Sequence, residues 1–363
     1  MSAAGAGVHV FRFAPAKLNL TLAVTGRRDD GFHALHSIMV PLALGDALAV
    51  RVAGPGAAGS ASAGDLLRVH GLAVTLEPDN LVLRAIAGAR ALVGAQVPGA
   101  GAPALVARLT KRIPVAAGLG GGSSDAAAAL EAALAAWGTD VPAEFIDELA
   151  AGLGSDVPFF RAGRWAVVTG RGEFVEPLPV VDEPPAVLIV TPRMPVSTAA
   201  VFRAYAYGSR PAGDVALRIS EELAAELRTH PSARCLIERA AELALANDLR
   251  RATMAIAPPL ADFAAALARI LDRPICQSGS GPTLWALYPG LEEARRAVRA
   301  VAGAVASGGL RSVGEGDPFV AATRITMGST GDLPGSPAGP GAHGSQWSPR
   351  AITDQSATDG GSE

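Results

Sequence analysis

The sequence predicts a two-domain α+β chain, and three observations carry that expectation. Its 363 residues, 49% of them apolar, are enough to bury two cores of ordinary domain size. The first part of the chain is strand-rich and then runs through a glycine loop into an alanine-rich helix. Beyond a turn-rich stretch at Glu176 to Pro185, strands and helices mix again.

Taken in order, Val8 to Phe13 alternates like a strand, and Leu18 to Val24 is a second apolar stretch ending in the turn-like segment TGRRDDGFH. Gly54 to Gly64 is made of Gly, Ala, Ser and Pro and reads as a flexible loop. Asp79-Asn80 has the chemistry of a helix cap before Leu81 to Leu92, and Leu105 to Lys111 is a strand. Ser123 and Ser124 open a helix of strong formers that stops at Gly138, and Pro142 to Leu153 is another helix. After the turn-rich boundary come the strand AVLIV and helices over Ser220 to Arg228, Ala233 to Leu245 and Pro259 to Ile270. A strand interrupted by a glycine turn, CQSGSGPTLWALY, precedes a last helix at Leu291 to Ala302. From Met327 the chain is Gly, Ser, Pro, Asp and Thr with little apolar content, so residues 327–363 are expected to be a disordered, dispensable tail.

A formal net charge of −3 gives no broad basic field for nucleic acid or an anionic membrane, so any bound phosphate must be held by a local device. No apolar run is long enough to span a bilayer, and a cytoplasmic protein is expected. Cys235 and Cys276 lack metal-ligand spacing and read as buried free thiols. Of the 31 basic residues only Lys17 and Lys111 are lysine. An ammonium is compact and titratable where a guanidinium is forked and permanently charged, which singles out both positions.

The chemistry concentrates in PVAAGLGGGSSDAAAAL, Pro114 to Leu130. A glycine turn entering a helix gathers unpaired backbone N–H groups and the positive end of the helix dipole around one spot, which suits phosphate. The Rossmann pattern fails because Ser123 stands where its last glycine would be, and the Walker pattern fails because no lysine follows the glycines. Ser123 and Ser124 offer hydroxyls to the helix end, to phosphate or to Mg²⁺. SGSG, Ser278 to Gly281, is a second small-residue turn that a ligand can approach closely. GSDVPFF, Gly154 to Phe160, sets a single carboxylate, Asp156, between a glycine turn and an apolar run. That acid is either a helix cap or, beside a buried lysine, a general base.

Together these segments resemble the GHMP kinase superfamily: PVAAGLGGGSSDAA looks like its phosphate loop and SGSGPT like its C-terminal glycine motif. APAKLNLTLAVTGRRDDGFHALHSIMVPLALGD narrows the resemblance to the branch acting on a cytidylated methylerythritol in non-mevalonate isoprenoid synthesis. The likeness covers roughly Phe11 to Leu287, with VSTAAVF and ANDL also in family order. It implies an ATP-dependent kinase, assisted by Mg²⁺, that phosphorylates the 2-hydroxyl of that small-molecule substrate. The implied fold has a ribosomal protein S5 domain 2-like domain over 8–180 and a ferredoxin-like domain over 181–326. Carried over by position, the catalytic residues fall on Lys17 and Asp156, the two already singled out. The ATP loop falls on Val115, Ala116, Ala117, Gly118, Leu119, Gly120, Gly121, Gly122, Ser123, Ser124 and Asp125, with Lys111 just before it. Substrate contacts fall on Asn19, Phe32, His33, Thr198 and Phe202. Many relatives have tyrosine where this chain has Phe32, which keeps a ring for stacking on cytosine but loses the hydroxyl. The resemblance leaves two rivals: a kinase of the same superfamily for another small alcohol, opposed by DGFH with an aromatic at Phe202, and a non-catalytic nucleotide binder, which would need neither Lys17 nor Asp156. Metal ligands and oligomeric state are not legible in the sequence.

Overall fold

A long central strand organises the N-terminal sheet in the computed structural model, which describes residues 9–54, 64–72, 80–179, 181–207 and 214–327. Most of the predicted 54–64 loop, and the predicted tail after Met327, lie outside the described residues. The first sheet has seven strands: β1 (Val10–Asn19), β2 (Ala23–Arg27), β3 (His33–Val52), β4 (Leu66–Gly71), β5 (Leu105–Lys111), β6 (Ala166–Gly170) and β7 (Phe174–Pro177). β3 pairs antiparallel with β1, β2, β5 and β6, while β4 joins β5 in parallel. Helices α1 (Leu81–Gln96), α2 (Gly121–Trp137), α3 (Ala143–Leu153) and α4 (Val157–Ala162) pack on this sheet through a common core that includes Met39, Leu48, Ile86, Leu130 and Phe159.

The second sheet has four strands in the order β11-β8-β10-β9, where β8 is Ala186–Thr191, β9 Cys276–Gln277, β10 Leu284–Tyr288 and β11 Phe319–Arg324. Seven helices accompany it: α5 (Thr198–Tyr207), α6 (Val215–Thr229), α7 (Ala233–Glu238), α8 (Ala240–Leu243), α9 (Leu249–Ile256), α10 (Pro258–Leu271) and α11 (Leu291–Ala306). β8 is buried on both faces, as its unbroken apolar run AVLIV requires. Val187 and Ile189 enter a core shared with Leu18, Ile38 and Val40 of the first sheet, whereas Ala186, Leu188 and Val190 pack on Leu260, Phe263 and Val301. The strands of the first sheet end at Pro177 and those of the second begin at Ala186, and the shared core makes the described residues one compact unit.

Local chemistry explains both the agreements with the sequence reading and the departures from it. Asn80 caps α1, its Oδ1 accepting from Val82 N at 2.9 Å. Gly138 closes α2 in the left-handed region (φ 63°), a conformation that glycine adopts without strain. Two apolar stretches read as separate strands are partly one: β1 runs on to Asn19, with its register broken between Pro15 and Lys17. A bulge there tolerates the missing N–H of proline and re-aims the following side chain. The predicted helix Ala233 to Leu245 is split at Arg239 (φ −86°, ψ 8°), whose guanidinium reaches Glu222, Glu226 and Glu242. Cys235 and Cys276 are buried free thiols, both pushed up to about 12, chiefly by burial, which leaves them unreactive. Among the described residues, no single helix is long and apolar enough to cross a membrane.

Candidate active site

The glycine loop joins β5 to α2 and passes directly over Lys17. The backbone N–H of Lys17 donates to Leu119 O at 2.9 Å, tying the loop to β1. α2 begins at Gly121, two residues earlier than the serines suggested, because Gly120 takes the N-cap position in the left-handed region (φ 71°, ψ 17°). A Cβ there would press on the Phe160 ring and the Lys17 side chain. No side chain caps the helix, so the N–H groups of Gly121, Gly122 and Ser123 have neither a helical nor a capping acceptor, the first helical bond being from Ser124 N to Gly120 O. Ser124 Oγ is buried without a partner beside them. This is the arrangement a phosphate group fits. Ala117 and Leu119 anchor the loop in the core, Val115 is 60% exposed at its entrance, and Ala116 holds a positive φ of 53°.

Beneath the loop, the Lys17 ammonium donates to Asn19 Oδ1 at 2.5 Å and faces Asp156 Oδ2 at 3.6 Å. Asp156 occupies the N-cap position of α4, yet its side chain makes no capping hydrogen bond. The bland reading of this acid as a helix cap is therefore not realised. Its side chain is 28% exposed and that of Lys17 only 5%, so a buried cation holds a carboxylate that remains open to a ligand.

Lys111 sits differently. Its ammonium is enclosed between Asp46 of β3 and Asp125 of α2, bonded to both, with Asp125 Oδ2 at 2.6 Å. Asp46 Oδ1 also accepts the N–H groups of Arg112 (2.5 Å) and Ile113 (2.9 Å), where the chain leaves β5 for the loop. Burial works against the ammonium, but Asp125 and Asp46 outweigh it and raise its pKa. Burial pushes the Asp125 carboxyl up to about 7 despite Lys111, with Asp46 adding to the rise. One lysine cannot neutralise two carboxylates. Asp46 accepts three hydrogen bonds, while Asp125 Oδ1 is buried with none, which leaves the Asp125 charge the less compensated of the two.

The SGSG turn links β9 to β10 and closes against the glycine loop. Ser278 Oγ donates to Gly118 O at 2.9 Å, and a Cβ on Gly118 or Gly281 would overlap the opposite backbone. Asn247 secures the turn by donating to Gln277 O at 3.1 Å and Gly279 O at 2.9 Å. Thr198, exposed at the start of α5, pairs with Ser280 Oγ at 2.9 Å. Sequence reasoning assigned roles to neither Asp46 nor Asn247; the glycine pattern was the signal for Ser278, and ANDL the only one for Asn247.

The expected cytosine contacts form a cluster of rings. His33 stacks on Phe202 with centroids 5.0 Å apart, and Tyr205, one helical step along α5, meets His33 edge-on at 6.3 Å. Phe32 is 51% exposed and lies under the Arg171 guanidinium at 5.5 Å. One face of Phe202 is thus taken by His33. Asn19, expected to touch substrate, is buried and holds Lys17. Among the described residues no group of three His, Cys, Asp or Glu side chains is placed to bind a metal.

The profile of the GHMP kinases N terminal domain matches residues 80–164, spanning the loop, α2 and Asp156. The chain is 40% identical over 290 residues to the 4-diphosphocytidyl-2-C-methyl-D-erythritol kinase of Paramagnetospirillum magneticum, covering 78% of this chain and 90% of that one. The chain belongs to the 4-diphosphocytidyl-2-C-methyl-D-erythritol kinase family. The family's protein from Granulibacter bethesdensis is 38% identical over 291 residues, with 79% and 88% covered. A crystal structure of 4-(cytidine 5'-diphospho)-2C-methyl-D-erythritol kinase superposes with a TM-score of 0.61 at 30% identity, covering 87% of this chain and 99% of that one. The homoserine kinase of Cytophaga hutchinsonii reaches the same TM-score at 17% identity, a likeness of fold alone. Both the α+β fold and the family expected from the motifs are therefore met, and the family's kinase fold frames the Lys17–Asp156 pair.

Proposed function

We propose that the protein is an ATP-dependent kinase that phosphorylates the 2-hydroxyl of 4-diphosphocytidyl-2-C-methyl-D-erythritol, giving the 2-phosphate and ADP. The observation that carries this reading is the Lys17–Asp156 pair lying under an uncapped helix N-terminus. Asp156 accepts the proton of the attacking hydroxyl as the new O–P bond forms and the bond to ADP breaks. Lys17 holds that carboxylate in place and offsets the charge growing on the alkoxide and the transferred phosphoryl. The first-turn N–H groups of α2 and the hydroxyls of Ser123 and Ser124 receive the phosphates of ATP. Mg²⁺, held mainly by those phosphates with Ser124 the available protein oxygen, would neutralise charge on the transferred group when bound. Lys111 supports the loop from beneath through Asp46 and Asp125.

His33, Phe202, Tyr205 and Phe32 form the cytidine end of the site, with Phe32 and His33 from the same half of the chain as the phosphate loop and Phe202 and Tyr205 from the half beyond the proposed 180/181 division. A coupled ADP-release assay with a panel of alcohols tests the reading. The cytidylated alcohol should turn over and the uncytidylated one poorly. Phe202→Ala should raise the Michaelis constant for the cytidylated substrate by about tenfold, since an aromatic base contact is worth roughly 1–3 kcal/mol, and should leave that for ATP nearly unchanged. Equal turnover of both alcohols would favour another substrate.

A further inference from the structure

A hydrogen-bonded chain leads away from Lys17 into the protein, and each of its bonds points the same way. Lys17 Nζ donates to Asn19 Oδ1 at 2.5 Å, Asn19 Nδ2 donates to Ser37 Oγ at 2.8 Å, and Ser37 Oγ donates to Thr21 O at 2.6 Å. The three residues are 4%, 2% and 0% exposed, so water does not substitute for any partner. The two ends fix the direction. An ammonium can only donate and a carbonyl can only accept, so the single hydroxyl proton of Ser37 goes to Thr21 O and its lone pair must face the amide nitrogen of Asn19. That leaves Asn19 Oδ1, and not its NH₂ group, turned to Lys17. An Asn19 turned the other way would set donor against donor at the lysine.

We propose that Ser37 is a positioning residue for phosphoryl transfer: its hydroxyl fixes the orientation of the Asn19 amide, and Asn19 in turn fixes the Lys17 ammonium 3.6 Å from Asp156. The proposal rests on the kinase reading of Lys17 and Asp156 above. The β3 strand thereby contributes to the site although Ser37 touches neither ion of the pair. Thr21 is itself pinned, since its Oγ1 accepts from Ile38 N at 3.0 Å and shares a hydrogen bond with Ser220 Oγ of α6 at 2.6 Å. The acceptor at the end of the chain is therefore fixed. Without the Ser37 hydroxyl, the Asn19 NH₂ group loses its acceptor, the amide is held at one end only, and Lys17 gains freedom to collapse onto Asp156.

The test is steady-state kinetics by ADP release on Ser37→Ala, Asn19→Ala and the double variant. Ser37→Ala should lower kcat roughly tenfold or more, as expected for a buried polar group left unsatisfied, with both Michaelis constants within about threefold of wild type. In the Asn19→Ala background the same substitution should cost no more than about twofold, because residues acting through one chain are not additive. Ser37→Cys, which keeps the size with a weak donor and acceptor, should fall between wild type and Ser37→Ala and carries the test if Ser37→Ala is isolated unfolded. Additive losses, or a Ser37→Ala kcat within twofold of an active wild type, would overturn the proposal alone. A wild type inactive on the cytidylated alcohol would overturn the kinase reading and the proposal with it.

Discussion

The two lysines of this chain occupy two ion clusters built to opposite ends. At Lys17 a single carboxylate stands 3.6 Å away with its side chain 28% exposed. At Lys111 two carboxylates, 0% and 5% exposed, close on the ammonium from both sides, and Asp46 also takes two backbone N–H groups. Solvent access and spare oxygen lone pairs leave the first carboxylate open to a ligand. The second cluster is dry, and changing its charge is paid for in folding free energy. Both clusters lie under the same loop, Lys17 bonded by its backbone to Leu119 and Lys111 to a carboxylate on α2, so one fold places an open pair and an enclosed cluster side by side.

The largest expected effect separates them by function. Asp156→Ala should reduce turnover ~10²–10⁴-fold, the usual contribution of general-base catalysis, while ATP affinity and melting temperature stay close to wild type. A variant keeping more than about a tenth of the activity would remove Asp156 from proton transfer. Lys111→Met should do the reverse. Removing one member of a buried ion cluster costs about 3–5 kcal/mol. At ~2–4 °C per kcal/mol for a domain of this size, the melting temperature should drop by about 10 °C. An unchanged melting temperature would mean that the two aspartates do not depend on the lysine.

How much of this contrast could be read in advance depended on how local the cause was. The glycine loop and α2 were legible because they follow from short-range chemistry, glycines before a run of helix formers, and Lys17 drew attention as a scarce lysine in an arginine-rich chain. The ends of β5 and the caps at Asn80 and Gly138 were legible for the same reason. Asp46 was not, because nothing near it in sequence announces a partner; Lys111 and Ile113 reach it only when β3 and β5 pair. Strands such as β6 and β11 are short and take their place from the strands beside them, so their own residues signal little. The stacking of His33 on Phe202 likewise needs β3 and α5 brought together across about 170 residues, beyond any local pattern.

The smallest effect sharpens the comparison through pH. The Asp125 carboxyl is raised from 3.8 to about 7 because burial, and Asp46 beside it, disfavour its charge more than Lys111 favours it. The folded protein therefore binds a proton that the unfolded chain has released over that interval. This contribution to stability is fully present below about pH 4 and is lost as pH rises through about 7. Asp125→Asn has no proton to lose and leaves Lys111 paired one-to-one with Asp46. The stability of wild type minus that of Asp125→Asn, from denaturant titrations at steps between about pH 4 and 8, should therefore fall as pH rises. Its slope is bounded by one proton, about 1.4 kcal/mol per pH unit, and coupling to Lys111 and Asp46 spreads it over a wider range. A difference that is flat with pH would show that Asp125 stays ionised beside Lys111. The triad would then hold two negative charges under the phosphate loop, and the contrast with the Lys17 pair would lie in burial alone.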